Sequence, residues 1–138
     1  MTGRKTTGAL LGREAILAAV DVQTEDVAVP EWGGTVRVRG LTGTERDGYE
    51  LWIIQGKGKN RDINIRQSRA KLVMMTIVDA EGKRVFDEAD VVALGKKSAL
   101  ALQRVFDKAA ALSGLDEETL EKIQDDLGND PSDASGSA

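Results

Sequence analysis

Apolar residues alternate with polar ones in one stretch of the chain and fall at helical spacing nearly everywhere else. Val27 and Val29 flank Ala28, and Val36 and Val38 alternate with Arg37 and Arg39, so two short runs each carry one apolar face. Gly33 and Gly34 read as the turn between them. Pro30 cannot donate to a ladder and Trp32 stands just before the glycines, which places the end of an edge strand there. The pattern predicts a small β-hairpin near the N-terminus. An isolated hairpin is marginal in water, so this one must lean on helices or on a partner.

The helical pattern begins before the hairpin, where Arg13 to Val20 reads as a short helix with Ile16, Leu17 and Val20 on one side. After it, Thr42 followed three residues later by Glu45 forms a capping box that opens a helix through Tyr49, Leu51, Trp52 and Ile53 until Gly56. A basic loop, Lys57 to Asp62, leads to Ile65, Arg69, Leu72, Val73, Thr76 and Ile77. Their spacing predicts a well-buried helix over Asn64 to Val78, widened by Met74 and Met75. Asp79 to Lys83 reads as a turn and Asp87 to Leu94 as a brief helix ended by Gly95. Ser98 caps a helix whose stripe of Leu102, Val105, Phe106, Ala109 and Leu112 stops at Gly114. An acidic helix over Asp116 to Leu127 carries Leu120, Ile123 and Leu127. The expected fold is therefore α+β: a mainly helical single domain over residues 13–127, between a flexible N-terminal segment, 1–12, and a disordered C-terminal tail, 128–138.

Composition narrows the chemistry. Aromatic residues are 4% of the 138, so the core must be built from Leu, Val, Ile and Ala. Charged residues are 30% with a net charge of -4, which argues for a soluble protein and against general nucleic-acid affinity. The basic N-terminal start is followed by an apolar stretch broken at Gly12, Arg13 and Glu14, so neither a signal peptide nor a membrane span is expected, and a cytoplasmic location follows. With no Cys and no His, disulfides, thiol nucleophiles, imidazole bases and the zinc sites built on them are excluded. "QGKGKN", Gln55 to Asn60, lacks the Gly-Lys-Ser/Thr that closes a phosphate loop and reads as a basic loop. "DAEGKRVFDEAD", Asp79 to Asp90, lacks the alternating ligands and distal Glu of a calcium loop; it reads as a turn followed by an acidic helix start. No catalytic, cofactor or metal site is expected. Basic residues outnumber acidic ones from Lys57 to Arg84, and the reverse holds from Asp107 to Asp133. Two accounts of that asymmetry stand, namely solvated faces of different sign or a basic face that meets an acidic partner.

Several passages taken together resemble the tail assembly chaperones of long-tailed bacteriophages of actinobacterial hosts, over Glu14 to Leu127. They are the acidic lead-in to "VPEWGG", then "VRGLTGTERD" entering a helix, the "RAKLV" helix followed by "VDAEGKRVF", and the "LGKKSALALQRVF" helix. The resemblance implies a non-enzymatic protein that binds the tape measure protein, keeps it soluble and helps recruit tail tube subunits in the host cytoplasm. It further implies absence from the mature virion and a longer, frameshifted form of the same protein as an additional partner. Two other readings remain open: a structural tail or head-to-tail component, and an RNA- or DNA-binding module resting on Lys57, Lys59, Arg61, Arg66 and Arg69. The last lacks the aromatic platform expected for single strands. Partner-binding candidates are Trp32, Arg37 and Arg39. For Trp32 the alternatives are a cover over the domain's own core and an anchor for a partner. Arg37 and Arg39 are expected to face solvent either way.

Overall fold

The computed structural model describes residues 8–55 and 67–115. Helix α1 spans Arg13–Ala18. The hairpin follows, β1 Thr24–Val29 and β2 Gly34–Arg39, joined by a 3-10 turn, Pro30–Trp32, and Gly33 at φ 75. Then come α2 Gly43–Gln55, α3 Ser68–Thr76, β3 Ile77–Val78, a 3-10 turn Glu88–Asp90, α4 Val91–Gly95 and α5 Ala99–Leu112. The mainly helical α+β reading holds. The expected basic loop at Lys57 to Asp62, the helix over Asp116 to Leu127 and the tail lie outside the described residues.

Two expectations are corrected. The helix expected over Asn64 to Val78 ends at Thr76, and Ile77–Val78 instead pairs antiparallel with β2, so the hairpin is part of a three-stranded sheet in the order β1-β2-β3. The run Thr76, Ile77, Val78 is β-branched throughout and suits an extended backbone better than a helix. Thr76 marks the changeover, its buried hydroxyl donating to the Leu72 carbonyl at 2.7 Å. Second, α1 stops at Ala18, short of Val20, and buries none of its residues; Ile16, Leu17 and Val20 stand 55%, 68% and 88% exposed. The reading of Pro30 and Trp32 holds: edge strand β1 ends at Val29, and the two residues then form a helical turn in which Pro occupies the first position, where its missing N–H costs nothing.

The sheet lays one face on α5. Val29 and Val38 are fully buried there, with Val27 and Val36 beside them. Helix α3 packs along α5 and buries Leu72, Val73, Met74 and Met75 against Leu102, Val105, Phe106 and Ala109. This is the stripe read from the sequence, capped as expected by Ser98, whose Oγ accepts from Ala101 N at 3.2 Å. At its other end Gly114, at φ 73, lets Leu115 N reach the Ala110 carbonyl at 2.8 Å and Gly114 N reach that of Ala111 at 3.3 Å. That pair of bonds closes the helix and buries Leu115. Helix α2 joins the core through Tyr49 and Ile53. The Tyr49 hydroxyl donates to the Ser68 carbonyl at 2.9 Å, and burial pushes its pKa upward.

The sheet is locked to α5 at one crossing of backbones. A Cβ on Gly40 would lie 2.5 Å from the Leu112 carbonyl oxygen. Next to it Leu41 N donates to Ser113 Oγ at 2.9 Å, and Gly40 N to the Gln23 carbonyl at 2.9 Å. Gly40→Ala must push two backbones apart and is expected to cost about 1 to 3 kcal/mol in a denaturant melt. Phe106→Ala leaves a cavity between α3 and α5 and is expected to cost about 3 to 5 kcal/mol by the same measurement.

Candidate partner-binding surface

Trp32 sits where the hairpin tip meets the far end of the domain. The tip is tied down by its neighbour: the Arg104 guanidinium on α5 donates to Glu31 Oε1 at 3.0 Å and to Oε2 at 3.1 and 3.2 Å. These bonds hold the Glu31 carboxyl below its usual pKa. The half-buried Trp32 ring packs against the core, as the first alternative for it required. It also lines a pocket of about 430 Å³ with Glu31, Phe86, Asp90, Ala93, Leu94 and Lys97, a size within the range of ligand sites. Its Nε1 is buried with no hydrogen-bond partner among the described residues. An unmatched buried donor costs about 1 to 3 kcal/mol.

The two arginines lie on the other face of the sheet, alternate residues of β2, but their surroundings differ. Arg37 pairs across the hairpin with Asp26, Nε to Oδ1 at 2.8 Å and Nη2 to Oδ2 at 3.2 Å, and remains about half exposed. Hydrogen bonding from Arg37 lowers the Asp26 pKa. Arg39 does not face solvent as expected. Its side chain is 17% exposed and makes two bonds to Glu45, at 2.8 and 2.6 Å, and a third to the Gly40 carbonyl at 3.0 Å. Trp32 and Arg39 sit at opposite ends of β2, about 20 Å apart at strand rise, so the structure does not gather the three candidates into one site.

Glu45 is the residue that sequence reasoning valued only as a cap. The capping box is present, with Thr42 N donating to Oε1 at 2.9 Å and Glu45 N to Thr42 Oγ1 at 3.2 Å. The same carboxylate also receives Arg39 from β2 and Arg84 Nη2, at 2.9 Å, from the segment after β3. The Arg39 hydrogen bonds are the largest influence, opposed by burial and aided by the Thr42 N–H and Arg84; together they hold the Glu45 pKa at about 2.

The basic stretch is largely committed where it is described. Arg69 lies over the Phe106 ring, 5.6 Å from its centroid, and Lys71 meets Glu88 at 2.6 Å. Lys57, Lys59, Arg61 and Arg66 fall outside the described residues. Asp79 folds its own turn by accepting from Glu81 N at 2.9 Å and Lys83 N at 3.0 Å, with Gly82 at φ 83. Asp87 and Asp90 cap the following helical turn reciprocally. "DAEGKRVFDEAD" is thus a turn and a helix start. Among the described residues no three carboxylates are grouped to hold a metal ion, and no helix is long and apolar enough to cross a membrane.

A family model described as phage tail assembly chaperone matches residues 12–126. Among solved structures, that of the bacteriophage HK97 tail assembly chaperone superposes with a TM-score of 0.51 at 16% identity, covering 66% of this chain and 85% of that one. At that identity the likeness is one of fold. Comparison with curated proteins gives no match.

The Glu45 cluster generates a pH prediction. Its folded pKa lies below the ordinary 4.5, so the stabilisation is present above about pH 4.5 and is lost as pH falls toward 2. Allowing for solvent screening, the contribution is about 1 to 3 kcal/mol. Glu45→Gln should destabilise the protein at neutral pH by a similar amount and flatten the pH dependence of the urea midpoint between pH 5 and 2. Equal slopes in the two proteins would show that Glu45 is not the titrating group.

Proposed function

The chain belongs to the phage tail assembly chaperone family, and from that membership we propose that it binds the tape measure protein, keeps it soluble and brings tail tube subunits to it in the host cytoplasm. The family match over residues 12–126 carries the reading. The HK97 likeness supports it at the level of fold. A tape measure protein that must wait for its tube presents apolar surface, and a partner covering it needs apolar side chains outside its own core. Leu51 and Ile54 on α2, Val92 on α4 and Leu100 on α5 are such residues, each between 44% and 57% exposed. Singly they are ordinary; many modest contacts of this kind release their client when the tube arrives. A longer, frameshifted form of the protein, implied by the sequence resemblance, completes the proposed set of partners.

Within this reading Arg37 is the arginine available to a partner, because its companion Asp26 is as exposed as it is. Co-expression with the tape measure protein of the same genome tests the proposal. The tape measure protein should move from the pellet to the soluble fraction and co-purify with this chain. Insolubility regardless of the chaperone, or stoichiometric copies of the chain in purified virions, would overturn the reading. Arg37→Glu should leave the thermal transition within about 1 kcal/mol of the parent, as for an exposed ion pair, while reducing capture; unchanged capture would remove the outer face of the sheet from the binding surface.

A further inference from the structure

Helix α2 carries apolar residues on two opposite sides. Tyr49 and Ile53 face the core and are buried, while Leu51 and Ile54, 55% and 44% exposed, stand on the outer side. Asp47 and Gly48 share that outer side, since positions 47, 48, 51 and 54 fall at the spacing of one helical face, and both are exposed. Gly48 lies in the helix interior, where glycine destabilises relative to alanine. Nothing within the described fold requires it: a Cβ there would meet no atom within 4 Å, and its φ is not positive. The Asp47 carboxylate forms no ion pair among the described residues, whereas its neighbours Glu45 and Glu50 are matched by Arg39 and Arg84 and by Arg46.

Resting on the tape measure reading, we propose that this face of α2 holds an amphipathic helix of the tape measure protein, which crosses at Gly48 and presents a lysine or arginine to Asp47. With no side chain at Gly48 the two backbones can approach to the short end of the usual helix spacing, about 8 Å. Leu51 and Ile54 then meet apolar residues of the client at the i, i+3 and i+4 spacing by which a helix is recognised. Charge selects this occupant over others. A carboxylate drawn into a partly dry contact needs a cation beside it, and the client helix supplies it. The chain's own segment after Leu115 opens with Asp116, Glu117 and Glu118 and would set like charges against Asp47. A second copy of the chain crossing symmetrically at the same glycine would bring two Asp47 carboxylates together. Two large side chains and a bare turn of helix make a small contact, at the weak end for protein interfaces. Such a contact releases a client that is later surrendered.

The test co-expresses the full chain with the tape measure protein of the same genome and reads the amount captured. Gly48→Leu fills the crossing point from open space, and Asp47→Lys repels the client's cation. Each should reduce capture at least tenfold. Gly48→Leu should also melt at or above the parent's temperature, because leucine is the better helix former; lower capture from a more stable protein is a combination that a purely structural role for the glycine does not give. With Leu51 replaced by the photo-crosslinker benzoylphenylalanine, illumination should yield an adduct to a tape measure peptide that has apolar residues at helical spacing and a lysine or arginine within a turn of them. Parent-level capture by either variant, or an adduct to this chain's own residues or to a second copy, would overturn the docking site while the proposed function stands. No capture by the parent would overturn both.

Discussion

The close approach of β2 to the end of α5 is the constraint on which the rest of the domain depends. Gly40 can pass the Leu112 carbonyl only because it has no side chain, and Leu41 then donates to Ser113 within the turn that closes α5. That contact joins residues 72 positions apart. It fixes the end of the sheet over the C-terminal end of α5, while Glu31 and Arg104 fix the hairpin tip over an earlier turn of the same helix. With both ends of β2 referenced to one helix, Val38 and Val29 are held over Val105 and Ala109, and the sheet has one seat. Helix α2 starts two residues after Leu41, so its direction is set by the same junction.

Charge then reinforces what the apolar contacts define. Arg39, Arg84 and Glu45 belong to the strand, to the segment after β3 and to the first turn of α2, three places that meet only if β3 pairs with β2. Lys108 to Glu25 at 2.7 Å and Arg104 to Glu31 border the apolar strip between β1 and α5. Exposed pairs of this kind contribute little each. Their effect is on register, because a one-residue slip of β1 would turn Glu25 and Val27 to the opposite face and strand both the charge and the apolar side chain.

The sequence was most legible where a local rule acts alone. The capping box at Thr42 and Glu45, the Ser98 cap, the stripe ending at Gly114 and the turn at Asp79 all depend on residues within one or two turns of each other. The pattern of Leu102, Val105, Phe106 and Ala109 needs only a 3.6-residue period to be read. The misreadings came from choices that a distant part of the chain decides. Ile77 and Val78 fit both a buried helix and a strand by hydrophobicity, and the free edge of β2 selects the strand. Arg39 looked like a solvent-facing residue because alternation gives the side of a strand and not what covers that side. The Thr42 and Glu45 spacing showed that the carboxylate turns back toward the helix start; nothing in the spacing showed that arginines from positions 39 and 84 would converge on it. Trp32 was legible as a residue of consequence, and its two readings were not exclusive, since one face of the ring serves the core and the pocket borders the rest.

What distinguishes this domain from a self-sufficient one is where its unspent surface lies. The core takes nearly all the apolar residues of α3 and α5, and the described basic residues of the central stretch are largely engaged by Phe106, Glu88 and Glu45. Apolar exposure is left at the N-terminal segment, on the outer side of α2 and around α4, with a pocket whose tryptophan donor has no acceptor among the described residues. A protein that keeps exposed apolar groups at its margins can bind without unfolding its core. In the proposed function the rigid part, built on Gly40 and the α3–α5 contact, is the platform, and the exposed margins are the reversible contacts. That division of labour is what an assembly chaperone requires, because its client must be held firmly enough to stay soluble and loosely enough to be surrendered to the growing tail.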